Sequence, residues 1–304
     1  MSLTVRFPRA VVAPWVFVTS RRPGNAARKT PTGKVRGVLI ATWNVNSLNA
    51  RMPRVEEWIS TVQPDVLCLQ ETKMSDAQFP HMAFSALGYE SVHHGFGRWN
   101  GVAILSRVGI DDVVSGFDDG RDDPDPDSRI IWATCAGVRV ASVYVPNGRE
   151  LDHDHYRYKL DWLGRLREHL DRHHTPDELL VVLGDWNICP TSLDVWDESR
   201  FAGMTHVSQL ERDALENVVE WGLVDTFRQR YGDAGDLFSY WDYRNGDFHK
   251  RRGLRIDYLM SSTALAQLCR ADLVDRNARK GAKPSDHAPV LGLFDVVVPT
   301  GEPR

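Results

Sequence analysis

The chain is built from short, unbroken apolar runs, each halted by a polar residue. Residues 179–183 are five consecutive apolar side chains that stop at Gly184-Asp185-Trp186-Asn187. Residues 38–43 end in Asn44-Val45-Asn46, residues 65–70 end in Glu71-Thr72-Lys73, and residues 101–106 form a fourth run. Uninterrupted apolar runs of four to eight residues predict strands buried on both faces. Residues 130–134 and 138–145 read as a hairpin turning at Gly137, and residues 255–260 and 288–294 as two later strands. Apolar spacing of three and four predicts helices over 51–62, 156–170 and 209–221. Residues 111–127, acidic and rich in Gly and Pro, read as a surface loop. Hairpins and helical crossovers in one chain point to packed sheets carrying helices outside.

The polar residues cluster where the strands stop. Asp185 and Asn187 are two apart, so in an extended segment they share a face. Such a pair can activate and orient a water molecule. Glu71, Asn44 with Asn46, and Asp286 with His287 sit at comparable positions, and Asp257 lies inside an apolar strand. A buried carboxylate needs a partner, which makes a His287–Asp257 pair the natural expectation. If these ends meet, they offer oxygen ligands to a hard cation such as Mg²⁺, a base, an orienting amide and an imidazole. Hydrolysis of a phosphate ester needs that set of groups. The paired histidines His93-His94, His153 with His155, and His173-His174 sit in polar surroundings without ligand spacing and read as solvated.

Charge is distributed unevenly along the chain. The first 36 of 304 residues hold eight basic side chains and no acidic one, so removing them from a net charge of −4 leaves the remainder at −12. An acidic body argues against strong nonspecific nucleic-acid binding and suits carboxylates gathered around a cation. Residues 10–18 resemble the core of an export signal, but Pro14 interrupts them and the Arg21-Arg22 pair follows the apolar run. Residues 1–36 are therefore expected to be a disordered basic extension, followed by one catalytic domain over 37–298 and a short tail over 299–304. No apolar run is long enough to cross a bilayer. Cys68, Cys135, Cys189 and Cys269 lie far apart, without zinc or disulfide spacing, and read as reduced thiols in a cytoplasmic protein.

Seven ordered motifs carry a resemblance: Trp43-Asn44-Val45-Asn46, Gln70-Glu71-Thr72-Lys73, Tyr144-Val145-Pro146-Asn147-Gly148, Gly184-Asp185-Trp186-Asn187, Gly222-Leu223-Val224-Asp225-Thr226-Phe227, Gly253-Leu254-Arg255-Ile256-Asp257-Tyr258 and Ser285-Asp286-His287-Ala288-Pro289-Val290. Over residues 38–294 the chain resembles the exodeoxyribonuclease III family, bacterial relatives of the apurinic/apyrimidinic endonucleases. The resemblance implies an α/β fold, the four-layer DNase I-like sandwich of two mixed sheets flanked by helices. It implies Glu71 as metal ligand, assisted by Asn46 and Asp286, for Mg²⁺ with Mn²⁺ as a substitute. It implies Asp185 as the group that activates or aligns water, Asn187 and Asn44 as its supports, His287 oriented by Asp257 at the phosphate, and Tyr144 as donor to a phosphate oxygen.

By the same resemblance Asn147 and Arg149 reach towards DNA, and Tyr240, Trp241 and Leu254 line a pocket for a baseless sugar. Leu254 stands where some relatives have an aromatic. The aromatic and basic stretch over 238–255, with Arg244 inside it, suits backbone tracking. The implied activity is incision of double-stranded DNA 5′ to abasic sites, with 3′→5′ exonuclease and 3′-phosphatase action, by a monomer. A related phosphoesterase acting on RNA, an inositol phosphate or a phospholipid head group is the alternative. A non-enzymatic scaffold of the same fold is disfavoured, because every catalytic position holds a competent residue.

Overall fold

The computed structural model describes residues 33–121, 125 and 127–299. The export-like segment, most of the basic extension and residues 300–304 lie outside the described residues. Among those described there are twelve strands: β1 (Gly33–Asn44), β2 (Val66–Gln70), β3 (Glu90–His94), β4 (Val102–Ser106), β5 (Asp111–Ser115), β6 (Ile130–Cys135), β7 (Val138–Tyr144), β8 (Leu180–Asp185), β9 (Leu223–Asp225), β10 (Asp257–Ser262), β11 (Cys269–Val274) and β12 (Val290–Pro299). They form two six-stranded sheets, ordered β11-β12-β1-β2-β4-β3 and β5-β6-β7-β8-β10-β9. The helices are α1 (Leu48–Val62), α2 (His81–Ala86), α3 (Asp154–His173), α4 (Gln209–Val219), α5 (Thr226–Tyr231) and two single-turn segments, α6 (Asp247–Lys250) and α7 (Thr263–Ala266).

Each sheet contains one parallel pair, β1–β2 in the first and β7–β8 in the second; the remaining pairs are antiparallel. A parallel pair needs a crossover, and α1 and α3 supply it. The apolar runs divide between two layers because side chains alternate along a strand. Val181 and Leu183 face the other sheet among Ile40, Cys68 and Ile104, while Leu180 and Val182 pack under Trp162, Leu166 and Leu170 of α3. Leu48, Val55 and Ile59 of α1 cover Ala41, Leu67 and Leu69 in the same way. Four layers result, two sheets between two sets of helices, as the resemblance implies.

Several expectations need correction. Residues 111–115, read as loop, form the edge strand β5, whose acidic residues face solvent because no strand lies beyond it. The 130–145 hairpin turns through Ala136 and Gly137, both at positive φ, as a two-residue hairpin turn requires. Strand β12 begins at Val290 instead of Ala288, and α4 stops at Val219. Residues 33–36, placed above in the extension, pair with residues 296–299 of β12. His93 is not solvated: it lies in β3 with its side chain fully enclosed, stacked 4.3 Å from Phe79.

Candidate active site

The two crossover units place their catalytic-type residues by the same rule. A parallel pair presents two carboxyl-terminal strand ends on one edge of the sheet, where open α/β folds keep their chemistry. In the first sheet Asn44 ends β1 opposite Gln70, and Glu71 follows directly. In the second sheet Tyr144 ends β7 opposite Asp185, the last residue of β8. The antiparallel strands β10 and β12 start at this same edge, so Asp257 pairs with Asp185 and His287 lies just before β12. Face-to-face packing of the sheets then brings both edges together.

The side chains meet in a continuous network. Asn44 Nδ2 donates to Glu71 Oε1 at 2.8 Å and to Asp185 Oδ2 at 2.9 Å, and Asn44 Oδ1 accepts from the Asn46 N–H. His287 Nδ1 lies 2.9 Å from Asp257 Oδ2, which also accepts from Ser239 Oγ at 2.6 Å. His287 Nε2 points the other way, 3.7 Å from Asp185 Oδ2. Asn46 Nδ2 reaches both oxygens of Asp286 at 3.2 Å. Ligand atoms of Glu71, Asp185 and His287 all fall within 4.8 Å of one another.

Asn187 behaves differently from the expectation. Strand β8 stops at Asp185 and Asn187 adopts φ 52°, so the two residues do not share an extended face. They are linked through the backbone, the Asn187 N–H donating to Asp185 Oδ1 at 2.9 Å. Asn46 and Glu71 also sit at positive φ, 44° and 52°. Left-handed backbone at non-glycine residues is costly and gathers where side chains must be aimed at a ligand.

The electrostatics divide the site into proton donor and proton acceptor. Burial raises the Asp185 carboxyl to about 7, helped by the nearby Asp257 and Glu71 carboxylates and opposed by His287. Burial pulls the His287 imidazole down, but Asp257 and Asp185 outweigh it and push it up to about 10. Tyr144 is driven well above the usual phenol range by burial and by the Glu71 carboxylate, so it remains a donor. Glu71 is held below the usual range despite its burial, because the Lys73 ammonium and the Asn44 amide stabilise its charge.

The oxygen donors suit a hard divalent cation. Lys73 Nζ sits 2.9 Å from Glu71 Oε2 and 2.6 Å from Asn46 Oδ1, so a carboxylate and an amide oxygen already converge on a positive charge. Oxygen-only sets of this kind are what Mg²⁺ takes.

Comparison with known proteins agrees with this geometry. The sequence profile of the Endonuclease/Exonuclease/phosphatase family matches residues 41–287. Exodeoxyribonuclease III of Haemophilus influenzae is 34% identical over 264 residues, 83% of this chain and 98% of that protein. The chain belongs to the exodeoxyribonuclease III group of the endonuclease/exonuclease/phosphatase family. Among solved structures, an AP endonuclease from Archaeoglobus fulgidus superposes with a TM-score of 0.82 at 35% identity, covering 85% of this chain and all of that one. A 3′ phosphatase from Neisseria bound to a product DNA hairpin gives 0.80 at 39% identity, over 85% of this chain and all of that one.

The residues expected to touch DNA are distributed unevenly in this member of the family. Asn147 and Arg149 are exposed on the loop after β7. They border a recess of about 330 Å³ beside Tyr144 that Trp99 and Arg129 also line. Tyr240 lies with its ring 4.9 Å from His287. Trp241 is a correction: it is 1% exposed, packed with Phe238 and Ala288 against Phe248, and so belongs to the core. Leu254 is likewise buried, among Cys189, Val195 and Ile256 beside Tyr240, and offers at most the floor of a recess. Arg244 is exposed but its charge is engaged by Asp242 at 2.7 Å.

A larger cavity of about 630 Å³, lined by Asp194, Arg212, Arg228 and Arg255, includes none of the residues of the site. Its charges already pair with one another, as in Arg255 with Asp194 and Arg228 with Asp194, so it gives no reason to move the chemistry there. Three residues of the site escaped the sequence reading. Lys73 bridges Glu71 and Asn46, Ser239 supports Asp257, and the Arg129 guanidinium stacks 4.8 Å over the Tyr144 ring. Only Lys73 had a signal, its place two residues after Glu71.

Proposed function

We propose that the chain is a Mg²⁺-dependent DNA-repair phosphodiesterase that incises duplex DNA 5′ to abasic sites and trims 3′ ends as exonuclease and 3′-phosphatase. The observation that carries this reading is the convergence of Asn44, Glu71, Asp185, Asp257 and His287, drawn from both sheets, around one point. The names of its relatives support the substrate: an exodeoxyribonuclease, an AP endonuclease and a 3′ phosphatase bound to DNA.

Glu71, with Asn46 and Asp286, would hold Mg²⁺, or Mn²⁺ in its place. When bound, such an ion supplies Lewis-acid stabilisation to a phosphoryl oxygen. The protein's groups do the rest. Asp185, raised to about 7, takes the proton of a water that Asn187 helps to place. The water oxygen bonds to phosphorus as the bond from phosphorus to the 3′ oxygen breaks, and the departing 3′ oxygen keeps that electron pair and takes a proton from solvent to become the 3′-hydroxyl. His287, charged and fixed by Asp257, faces the phosphate and stabilises its growing charge. The un-ionised Tyr144 phenol donates to a phosphoryl oxygen. Asn147, Arg149 and Tyr240 contact the flanking backbone and sugar, where positive and aromatic side chains suit a polynucleotide.

Within this reading the enzyme is cytoplasmic and works as a monomer on double-stranded DNA, and light scattering of the free and DNA-bound protein checks the monomer. The deciding experiment is turnover on an abasic-site duplex beside a blunt duplex and a 3′-phosphate end, with Mg²⁺ and with chelator. Metal-dependent cleavage of these DNAs is expected. Cleavage only of RNA, inositol phosphates or phospholipid head groups would overturn the proposal.

A further inference from the structure

Two helices contribute one charged residue each to an enclosed ion pair. Lys159 of α3 and Glu211 of α4 both have fully buried side chains and are in contact. Enclosing two charges is expensive, and two apolar residues of similar volume would fill the space as well. The bonds made by the pair suggest what it is for. Lys159 Nζ donates to the backbone carbonyl of Asn187 at 2.7 Å and to that of Asn147 at 3.3 Å. Glu211 Oε1 accepts from the backbone N–H of His206 at 3.0 Å, and His206 Nδ1 lies 2.6 Å from the same Asn187 carbonyl. A carbonyl only accepts, so Nδ1 carries the proton and Nε2 faces Asn147 Nδ2, at 3.4 Å, as an acceptor. Thr205 Oγ1 sits 2.8 Å from the Asn147 carbonyl and 2.7 Å from Glu211 Oε1.

The two gripped residues belong to different loops. Asn147 lies in the loop after Tyr144, and Asn187 in the loop after Asp185. Their side chains meet at 3.2 Å, Asn147 Nδ2 donating to Asn187 Oδ1. The Tyr144 loop is packed tightly on Thr205 and Lys159 at Gly148. A Cβ on Gly148, at φ +93°, would stand 2.7 Å from Thr205 Oγ1 and 3.3 Å from Lys159 Cδ. Against the effect of burial, the Lys159 ammonium holds the Glu211 carboxyl below the usual range, while burial pulls the Lys159 ammonium below its own usual value against the pull of Glu211.

We propose that Lys159, Glu211 and His206 are positioning residues that clamp the Tyr144 loop to the Asp185 loop by their backbone carbonyls. The clamp sets Asn147 and Asn187 and, through the Asn187 N–H, the Asp185 carboxylate. None of the three needs to touch substrate. The proposal rests on the nuclease reading above and adds to it a second layer that determines where the nucleophilic water and the flanking strand sit.

The test uses the full chain in four forms: wild type, His206→Leu, His206→Asn and the double variant Lys159→Met/Glu211→Leu. Asn can place an amide N–H where Nδ1–H stood, whereas Leu cannot. On an abasic duplex with Mg²⁺, His206→Leu should lose about tenfold to a hundredfold in kcat with KM little changed, since a misplacement on the ångström scale has that effect. His206→Asn should recover most of the loss, and the double variant should lose at least as much as His206→Leu at an unaltered Tm. Amide exchange over residues 145–149 and 185–189 should quicken in His206→Leu and in the double variant relative to the strands. Wild-type kcat in His206→Leu, or unchanged exchange in both loops, overturns the clamp. If the double variant fails to fold, the two His206 variants decide. If wild type shows no turnover, the nuclease reading fails and the exchange rates still judge the clamp.

Discussion

Asn44 and Asp185 are joined by a 2.9 Å hydrogen bond across 141 residues of chain, one at the end of a strand in each sheet. The same Asn44 amide nitrogen also reaches Glu71, so one small side chain spans the proposed base and the proposed metal ligand. Asp185→Asn should abolish cleavage of an abasic duplex, leaving DNA affinity within a few-fold of wild type. Asn44→Ala keeps the carboxylate and frees its orientation, with an expected kcat loss of about a hundredfold. Single-turnover cleavage with a parallel binding titration measures both. Turnover by Asp185→Asn comparable to wild type would remove it from the reaction.

His287 depends on Asp257 for both its proton and its direction. His287→Ala should lower kcat at least about a hundredfold, the range for one positioned acid or electrostatic group. Asp257→Asn keeps the volume and removes the charge that fixes the imidazolium. It should approach the loss in His287→Ala, and the pair should be far from additive in a double-mutant cycle.

Glu71 and Asn46 turn their oxygens to a common point. Glu71→Gln should weaken divalent-ion binding by about tenfold or more, read as a rise in the Mg²⁺ concentration for half-maximal rate and by calorimetry without DNA. Chelator should silence the wild type, and added Mg²⁺ or Mn²⁺ should restore it. Undiminished calorimetric affinity in Glu71→Gln would place the ion elsewhere.

Gly184 precedes Asp185 at φ +152°, and a Cβ there would lie 1.9 Å from the carbonyl oxygen of Val143 on the neighbouring strand. No rotamer relieves a clash with backbone. Gly184→Ala should cost at least about 3 kcal/mol in urea denaturation or prevent folding, the scale of severe core strain. A loss below about 1 kcal/mol would show that the β7–β8 spacing can relax.

Stability should fall on the acid side for a reason unrelated to catalysis. His169 is buried, its Nδ1 on the Phe117 carbonyl and its Nε2 without a partner, and burial lowers its pKa from 6.5 to about 4. The unfolded chain therefore binds a proton that the folded one refuses. The neutral-form advantage is complete above about pH 6.5 and is lost as pH falls towards 4, by at most about 3 kcal/mol. His169→Asn, which keeps a donor for Phe117, should flatten that part of the profile in chemical denaturation at successive pH values.

Much of the fold was legible because interior strands bury both faces. The run before Gly184-Asp185 is apolar throughout and that before Gln70-Glu71 is apolar from Val66 to Leu69, and both lie in interior strands. Edge strands escaped: β5 reads Asp-Asp-Val-Val-Ser and is indistinguishable from a loop until a partner is known. Asp185, Glu71 and His287 were legible as polar residues at the ends of apolar runs. Lys159 and Ser239 were not, since what they do depends on loops brought together only by folding. Trp241 was misassigned because an aromatic in a DNA-facing motif says nothing about which side of the backbone it occupies.

The pairing of β1 with β12 runs from Gly33 opposite Pro299 to Thr42 opposite Val290. Asn44 and His287 lie at one extremity of this ribbon, and the outer limits of the described chain lie side by side at the other, roughly 35 Å away for a strand of that length. Affinity tags, fluorophores or fused domains joined at either of those limits would therefore leave from the pole opposite the cleft. A permuted chain, joined there by a short linker and reopened on a surface turn, should keep its nuclease face intact.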